Sequence, residues 1–117
     1  MIYEFRIYDI KPGTLDSFAT FMGARMVPWQ ERTYHARVLG QFAPYAKVAG
    51  GAGGGTITPE AKTYIWVRVF PNEATRLEQY KMYQDEGFRQ VGSPADAGFD
   101  KARIIIRANP TGFSKLQ

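Results

Sequence analysis

TYIWVRVF, residues 63–70, is the clearest strand in the chain, and its reading decides the fold. It is built from β-branched and aromatic residues, which suit a pleated, half-buried surface. Pro71 and Asn72 stop it. Asn72 can cap a helix, because its side-chain oxygen accepts from a free backbone N–H of the first turn. That helix is predicted to run to about Asp85, with Leu77, Tyr80 and Tyr83 or Gln84 facing inward, and a short turn around Phe88 and Val91 extends it. Residues 92–101 read as a loop and Ala102 to Ala108 as a further strand.

The chain before residue 63 supplies the other half. AGGAGGG at 49–55 marks residues 46–62 as a long mobile hairpin loop, since glycine loses more backbone entropy on ordering than any other residue. Ala36 to Phe42 precedes it as a strand. Further back, Leu15, Phe18, Met22, Met26 and Trp29 recur at spacings of three and four, one apolar stripe along a helix that Thr14 can cap. Pro28 lies within the stripe and predicts a kink or an early end, because it removes a backbone donor. Ile2 to Ile10 is the first strand, closed by Lys11-Pro12-Gly13. The order is β-α-β-β-α-β in one α+β domain spanning 1–117, the ferredoxin-like pattern with a four-stranded antiparallel sheet.

Side chains alternate along strands, so each strand divides into two sets. One reads Tyr3, Phe5, Ile7; Val38, Phe42; Ile65, Val67, Val69; Ile104, Ile106. It is almost wholly apolar and is expected under the helices. The other reads Glu4, Arg6, Tyr8; Arg37, Leu39, Gln41; Tyr64, Trp66, Arg68, Phe70; Arg103, Ile105, Arg107. Left bare, that second face exposes more apolar area than a monomer usually carries. A second copy of the chain is the expected cover, in a two-fold homodimer. Its interface then comprises Glu4, Arg6, Tyr8, Leu39, Tyr64, Trp66, Arg68, Arg103 and Ile105. Glu4, Arg6 and Tyr8 admit a second reading, an acid–base and anion-orienting ladder.

Composition narrows the chemistry. A chain of 117 residues buries roughly two-thirds of its unfolded surface without staples. The absence of cysteine removes disulfides, thiolate catalysis and sulfur-ligated zinc, and fits a reducing compartment. The start MIYEFRIYDI carries Glu4, Arg6 and Asp9 and is no signal peptide, and no run approaches the length of a membrane span. The expected location is cytoplasmic, with no membrane partner. A net charge of +4, spread without a block of like charges, is too diffuse for a nucleic-acid footprint. One histidine, His35, and no spaced carboxylate pair supply too few ligands for a metal, and no cofactor is expected. The glycine run is not a phosphate loop, because it lacks the following Lys-Ser/Thr and leads into a strand. KTYIWVRV at 62–69 is partly like an RNA-binding octamer, with Tyr64 and Trp66 placed to stack on bases, but the small residues of that motif are missing.

IYEFRIYDIKPGTLDSF at 2–18 resembles the opening of the NIPSNAP family, a Y-E-hydrophobic-R-x-Y strand running into K-P-G and a helix. IIIRANPTGFSKL at 104–116 resembles that family's last strand and its R-x-x-P-x-x-F-S-x-L tail, and VLGQF and YIWVRV sit where the family has its hairpin. The resemblance implies a dimeric α/β barrel, in which two ferredoxin-like sheets close on each other. It implies no defined activity. Other proteins on that barrel fold include cofactor-free monooxygenases of polycyclic aromatics, lactone isomerases and haem enzymes. By that analogy a pocket for a small hydrophobic or aromatic molecule lies between helices and sheet, lined by Phe5, Phe18, Met22, Met26, Trp29, Phe42 and Tyr80. Trp66 falls outside it on this reading. If the protein is an enzyme, monooxygenase-like or isomerase-like, His35 and Tyr83 are the proton-handling candidates. A non-catalytic protein-interaction module and RNA binding through the sheet are the alternative functions.

Overall fold

The computed structural model of the chain describes residues 1–44, 46–49, 56–59, 61–112 and 114–115. Four strands form one antiparallel sheet in the order β2-β5-β1-β6: β1 (Ile2–Ile10), β2 (Arg37–Phe42), β5 (Thr63–Phe70) and β6 (Phe99–Ala108). Between β2 and β5, β3 (Ala46–Ala49) and β4 (Thr56–Pro59) pair as a separate two-stranded ribbon. Part of the expected hairpin loop at 46–62 is therefore a paired ribbon instead of loop. Its glycine run at 50–55 lies outside the described residues, as do Phe113 and Leu116 of the closing motif.

The first helical segment crosses Pro28 instead of ending there. α1 (Leu15–Phe21) passes into a π turn (Met22–Met26) and on into α2 (Val27–Tyr34). Val27 donates its N–H to the carbonyl of Met22, five residues back. The wider turn absorbs a proline that has no N–H to give and a ring that crowds the preceding turn. It also keeps Phe18, Met22, Met26 and Gln30 on one buried face. In a straight α-helix, steps of four residues drift by about 40° each, so the row would have turned away by Gln30. α2 ends at His35, whose φ of 56° is the left-handed conformation common at helix C-termini.

After β5, the Asn72 side chain accepts from the Thr75 N–H and starts α3 (Glu73–Gln79). A 3₁₀ turn (Tyr80–Gln84) and α4 (Glu86–Val91) follow, with Asp85 capping α4 through the Gly87 N–H. Leu77, expected inside, is 57% exposed, and Gln79 and Met82 are buried instead. Within the expected loop, Ser93 caps α5 (Pro94–Ala97). Gly98, at φ 131°, then turns the chain into β6 three residues earlier than the periodicity predicts. That start puts the Phe99 ring against Tyr8 and Phe18 in the core.

The largest correction concerns the two faces. On the central strands β1 and β5 the helices cover the mixed set. A bulge in β2 brings Val38 opposite Arg68 on that side as well, while Phe5, Phe42, Ile104 and Ile106 of the apolar set lie open. Glu4, Arg6, Tyr8, Tyr64, Trp66, Arg68 and Phe70 are buried, and Tyr8, Tyr64 and Trp66 pack with Phe18, Phe21, Met22 and Met26 beneath α1 and α2. On the opposite face Phe5 is 38% exposed, Ile104 and Ile106 44%, and Phe42 55%. The register carries the division across the sheet. Glu4 faces Arg68, Arg6 faces Trp66 and Tyr8 faces Tyr64, while Phe5 faces Val67 and Ile106, and Ile7 faces Ile65 and Ile104. The physical reason is that Glu4 meets Arg6, Arg68 and Arg107 on that face, so the buried guanidiniums have an anion beside them. Among the described residues, no helix is long and apolar enough to cross a membrane.

Candidate ligand-binding site

The buried polar residues of β1 and β5 converge on Glu4. Its Oε1 accepts from Arg6 Nε at 2.6 Å and from Arg68 Nη2 at 2.8 Å. Its Oε2 accepts from Arg107 Nε at 2.8 Å and from the Tyr80 hydroxyl. Burial pushes this carboxyl up, but Arg68, Arg6 and the Tyr80 hydroxyl outweigh burial and hold it at about 2. Glu4 is thus ionised and fully committed, an anchor for cations and not a base.

Around it, four rings cage two guanidiniums. The Arg68 Cζ lies 4.6 Å from the Trp66 ring centre and 5.3 Å from that of Tyr80, and the Arg6 Cζ lies 5.7 Å from that of Tyr83. Phe70 closes the cage at 5.5 Å from Arg68. Such cation–ring contacts offset part of the desolvation of buried arginines. Arg68 also donates through Nη1 to Gln30 Oε1 at 3.3 Å, which ties α2 to the network.

Beside this network lies a cavity of about 190 Å³ between helices and sheet. Its walls are apolar: Phe18, Met22 and Met26 from the first helical segment, and Phe88, Pro94 and Phe99 from the later chain. Its polar groups are Arg6, Tyr8, Gln30, Trp66 and Tyr83. An engineered apolar cavity of about 150 Å³ takes benzene, so this one has room for a substituted single ring. Burial raises the Tyr83 hydroxyl above its ordinary value, with Arg68 and Arg6 pulling it back, so it stays a neutral donor at neutral pH.

The sequence-predicted residues divide as follows. Phe18, Met22, Met26 and Tyr83 line the cavity. Phe5 and Phe42 do not, because they stand on the open face of the sheet. Trp29 packs between Tyr34 and Phe88, holding α4 on α2, and Tyr80 serves the Glu4 network. His35 is exposed at the end of α2, beside Arg37, Thr75 and Gln79, and is not brought together with Tyr83. Of the predicted interface, Glu4, Arg6, Tyr8, Tyr64, Trp66 and Arg68 are inside the protomer. Leu39 sits at a bulge of β2 and Ile105 on the helix side of the edge strand β6, opposite Arg6. Arg103, at a bulge of β6, pairs with Asp9 at 2.5 Å and with Thr63.

Trp66 and Arg6 are cavity residues that sequence reading placed elsewhere. The available signal was the pairing of Glu4-x-Arg6-x-Tyr8 with Tyr64-x-Trp66-x-Arg68, which sets opposite charges side by side in an antiparallel register. Stacking of Tyr64 and Trp66 on RNA bases is corrected as well, since each is only 2% exposed.

The fold is that of solved NIPSNAP-family structures. A NIPSNAP family protein from Agrobacterium tumefaciens superposes with a TM-score of 0.73 at 18% identity, over 99% of this chain and 98% of that one. An uncharacterised NIPSNAP domain protein from Burkholderia xenovorans gives 0.72 at 15%, over 97% and 98%. A second NIPSNAP family protein from A. tumefaciens, of unknown function, gives 0.73 at 16%, over 100% and 94%. No family model matches the chain, and no curated protein matches it by sequence. At these identities the likeness carries the fold and no chemistry.

Proposed function

We propose that the protein is a NIPSNAP-like binding domain that holds a small hydrophobic or aromatic molecule between its helices and its sheet. The observation that carries this reading is the cavity of about 190 Å³, walled by apolar side chains with a few convergent polar groups at one network. Binding is favoured over conversion by proton abstraction. Among the described residues lining the cavity, the titratable side chains are Arg6, Tyr8 and Tyr83, with no carboxylate and no histidine.

The same reading makes the protein a homodimer closed over the open face of the sheet. Its support is the exposed row of Phe5, Phe42, Ile104 and Ile106 around Val67, an apolar patch on a four-stranded sheet. On this reading the interface lies on the face opposite the one the sequence suggested.

The test is a set of single-ring probes, neutral and charged, titrated into the full chain while the methyl resonances of Met22 and Met26 are followed. Binding shifts those methyls, and Met26→Trp, which fills the cavity, abolishes the shift. If no probe moves either methyl, the reading fails.

A further inference from the structure

The cavity's polar groups are unequal in kind: all of them have hydrogen to give. Arg6 spends Nε on Glu4, Nη1 on Tyr8 at 3.1 Å and Nη2 on Tyr80 at 2.6 Å. A guanidinium has five N–H groups, so two remain. The Tyr8 oxygen accepts from Arg6, which turns its own hydrogen outward from that bond. Gln30 gives its carbonyl to Arg68, which fixes the amide with its NH₂ uncommitted. The Trp66 Nε1–H is buried with no hydrogen-bond partner. An indole N–H is donor-only.

Charge points the same way. Arg6 and Arg68 are both buried, and Glu4 is the one carboxylate paired with them among the described residues. Arg107 also reaches Glu4 but keeps 40% of its side chain in solvent. The buried cluster therefore carries one positive charge more than it neutralises. A single carboxylate in the cavity balances it and meets the waiting donors.

We propose that the molecule held in the cavity is a small one-ring carboxylate, its ring between Phe18, Met22 and Met26 and its anion on Arg6 and Tyr8, beside the Trp66 indole. This rests on the reading of the cavity as a ligand site. Neutral rings of the same size leave the excess charge unmet. Cationic ones add like charge beside Arg6.

Benzoate, benzamide and benzylamine serve as matched probes, measured by calorimetry on the full chain with the Trp66 indole N–H resonance as local reporter. Benzoate should bind at least about tenfold more tightly than benzamide, the usual advantage of a charge-assisted hydrogen bond over a neutral one, and benzylamine should not bind. Arg6→Gln should bring benzoate to within about threefold of benzamide. Should that variant unfold, Tyr8→Phe removes one donor without touching charge and should weaken benzoate by about three- to tenfold, more than it weakens benzamide. Benzamide binding as tightly as benzoate overturns the inference and leaves the cavity reading standing. If none of the three moves the indole resonance or the cavity methyls, both fall.

Discussion

Glu4 and Arg68 stand directly opposite each other on the two central strands, with Arg68 Nη2 donating to Glu4 Oε1 at 2.8 Å and both side chains out of solvent. The pair explains how a sheet can turn its charged face inward. Each ion is held by more than its partner: Glu4 by Arg6, Arg107 and Tyr80, and Arg68 by Gln30 and the rings of Trp66 and Phe70.

Glu4→Gln should therefore be among the most damaging single changes in the chain. It keeps the shape but removes the one anion that Arg6 and Arg68 share. Breaking a buried pair from one side typically costs about 3–5 kcal/mol, because the remaining charge stays buried. Urea denaturation of the variant measures it, and a loss under about 1 kcal/mol would mean that Glu4 is not the anchor.

The same carboxylate sets an acid limit. Its folded pKa is about 2, below an ordinary value of 4.5. A depressed carboxyl contributes its full stability above the unfolded value and loses it as pH falls through the folded one. The stability of the protein should decline between about pH 4.5 and pH 2, by on the order of 3 kcal/mol from this group. A pH series of urea midpoints should show that slope in the wild type and not in Glu4→Gln.

Gly98 offers a test of the β6 start. Its φ of 131° is a conformation side chains rarely adopt, and a Cβ there would lie 2.3 Å from Thr14 Oγ1. Gly98→Ala should cost about 1–3 kcal/mol through backbone strain and overpacking. Phe99 follows directly, so a broadened Phe99 ring signal should accompany the loss.

Much of this fold is readable from the sequence, for reasons that particular residues make clear. β1 and β5 have sharp ends because Lys11-Pro12-Gly13 and Pro71-Asn72 cannot continue a strand. The stripe of Phe18, Met22 and Met26 gives one cavity wall directly from its spacing. The parity of the strands is equally plain, but not which parity the helices cover. Polarity argues for the apolar set, and that argument fails because Glu4 comes to pair with both Arg6 and Arg68 only in three dimensions. That one inversion is what hides Trp66 and Arg6 as cavity residues from a reading of the sequence. The passage through Pro28 depends on a π turn, and nothing in the residue types of 22–26 announces one.

His35 was a candidate for proton handling, and its position supplies a different test. It ends α2 in the left-handed conformation, exposed and away from the cavity. His35→Gly removes a side chain strained there by about 1–2 kcal/mol and adds about 0.5–1 kcal/mol of chain entropy, so stability should change by under about 1 kcal/mol. Probe binding at the cavity should not change. A tenfold loss of binding would return His35 to the site.

The open face gives the sharpest contrast between two variants. Ile106 lies opposite Phe5 on that face, and its side chain meets solvent in the single chain. A glutamate there costs a monomer little, but in a closed dimer it is desolvated without a partner. Ile106→Glu should leave the far-ultraviolet spectrum unchanged and halve the mass seen by light scattering at micromolar concentration. Trp66→Glu should behave in the opposite way. Trp66 packs against Tyr8 and two arginines beneath the helices, so a glutamate there disrupts the core of each protomer. It should unfold the chain instead of separating folded subunits. A wild-type protein that is already monomeric at that concentration would sink the dimer. A folded monomer produced by Trp66→Glu would mean that the interface lies on the helix side after all.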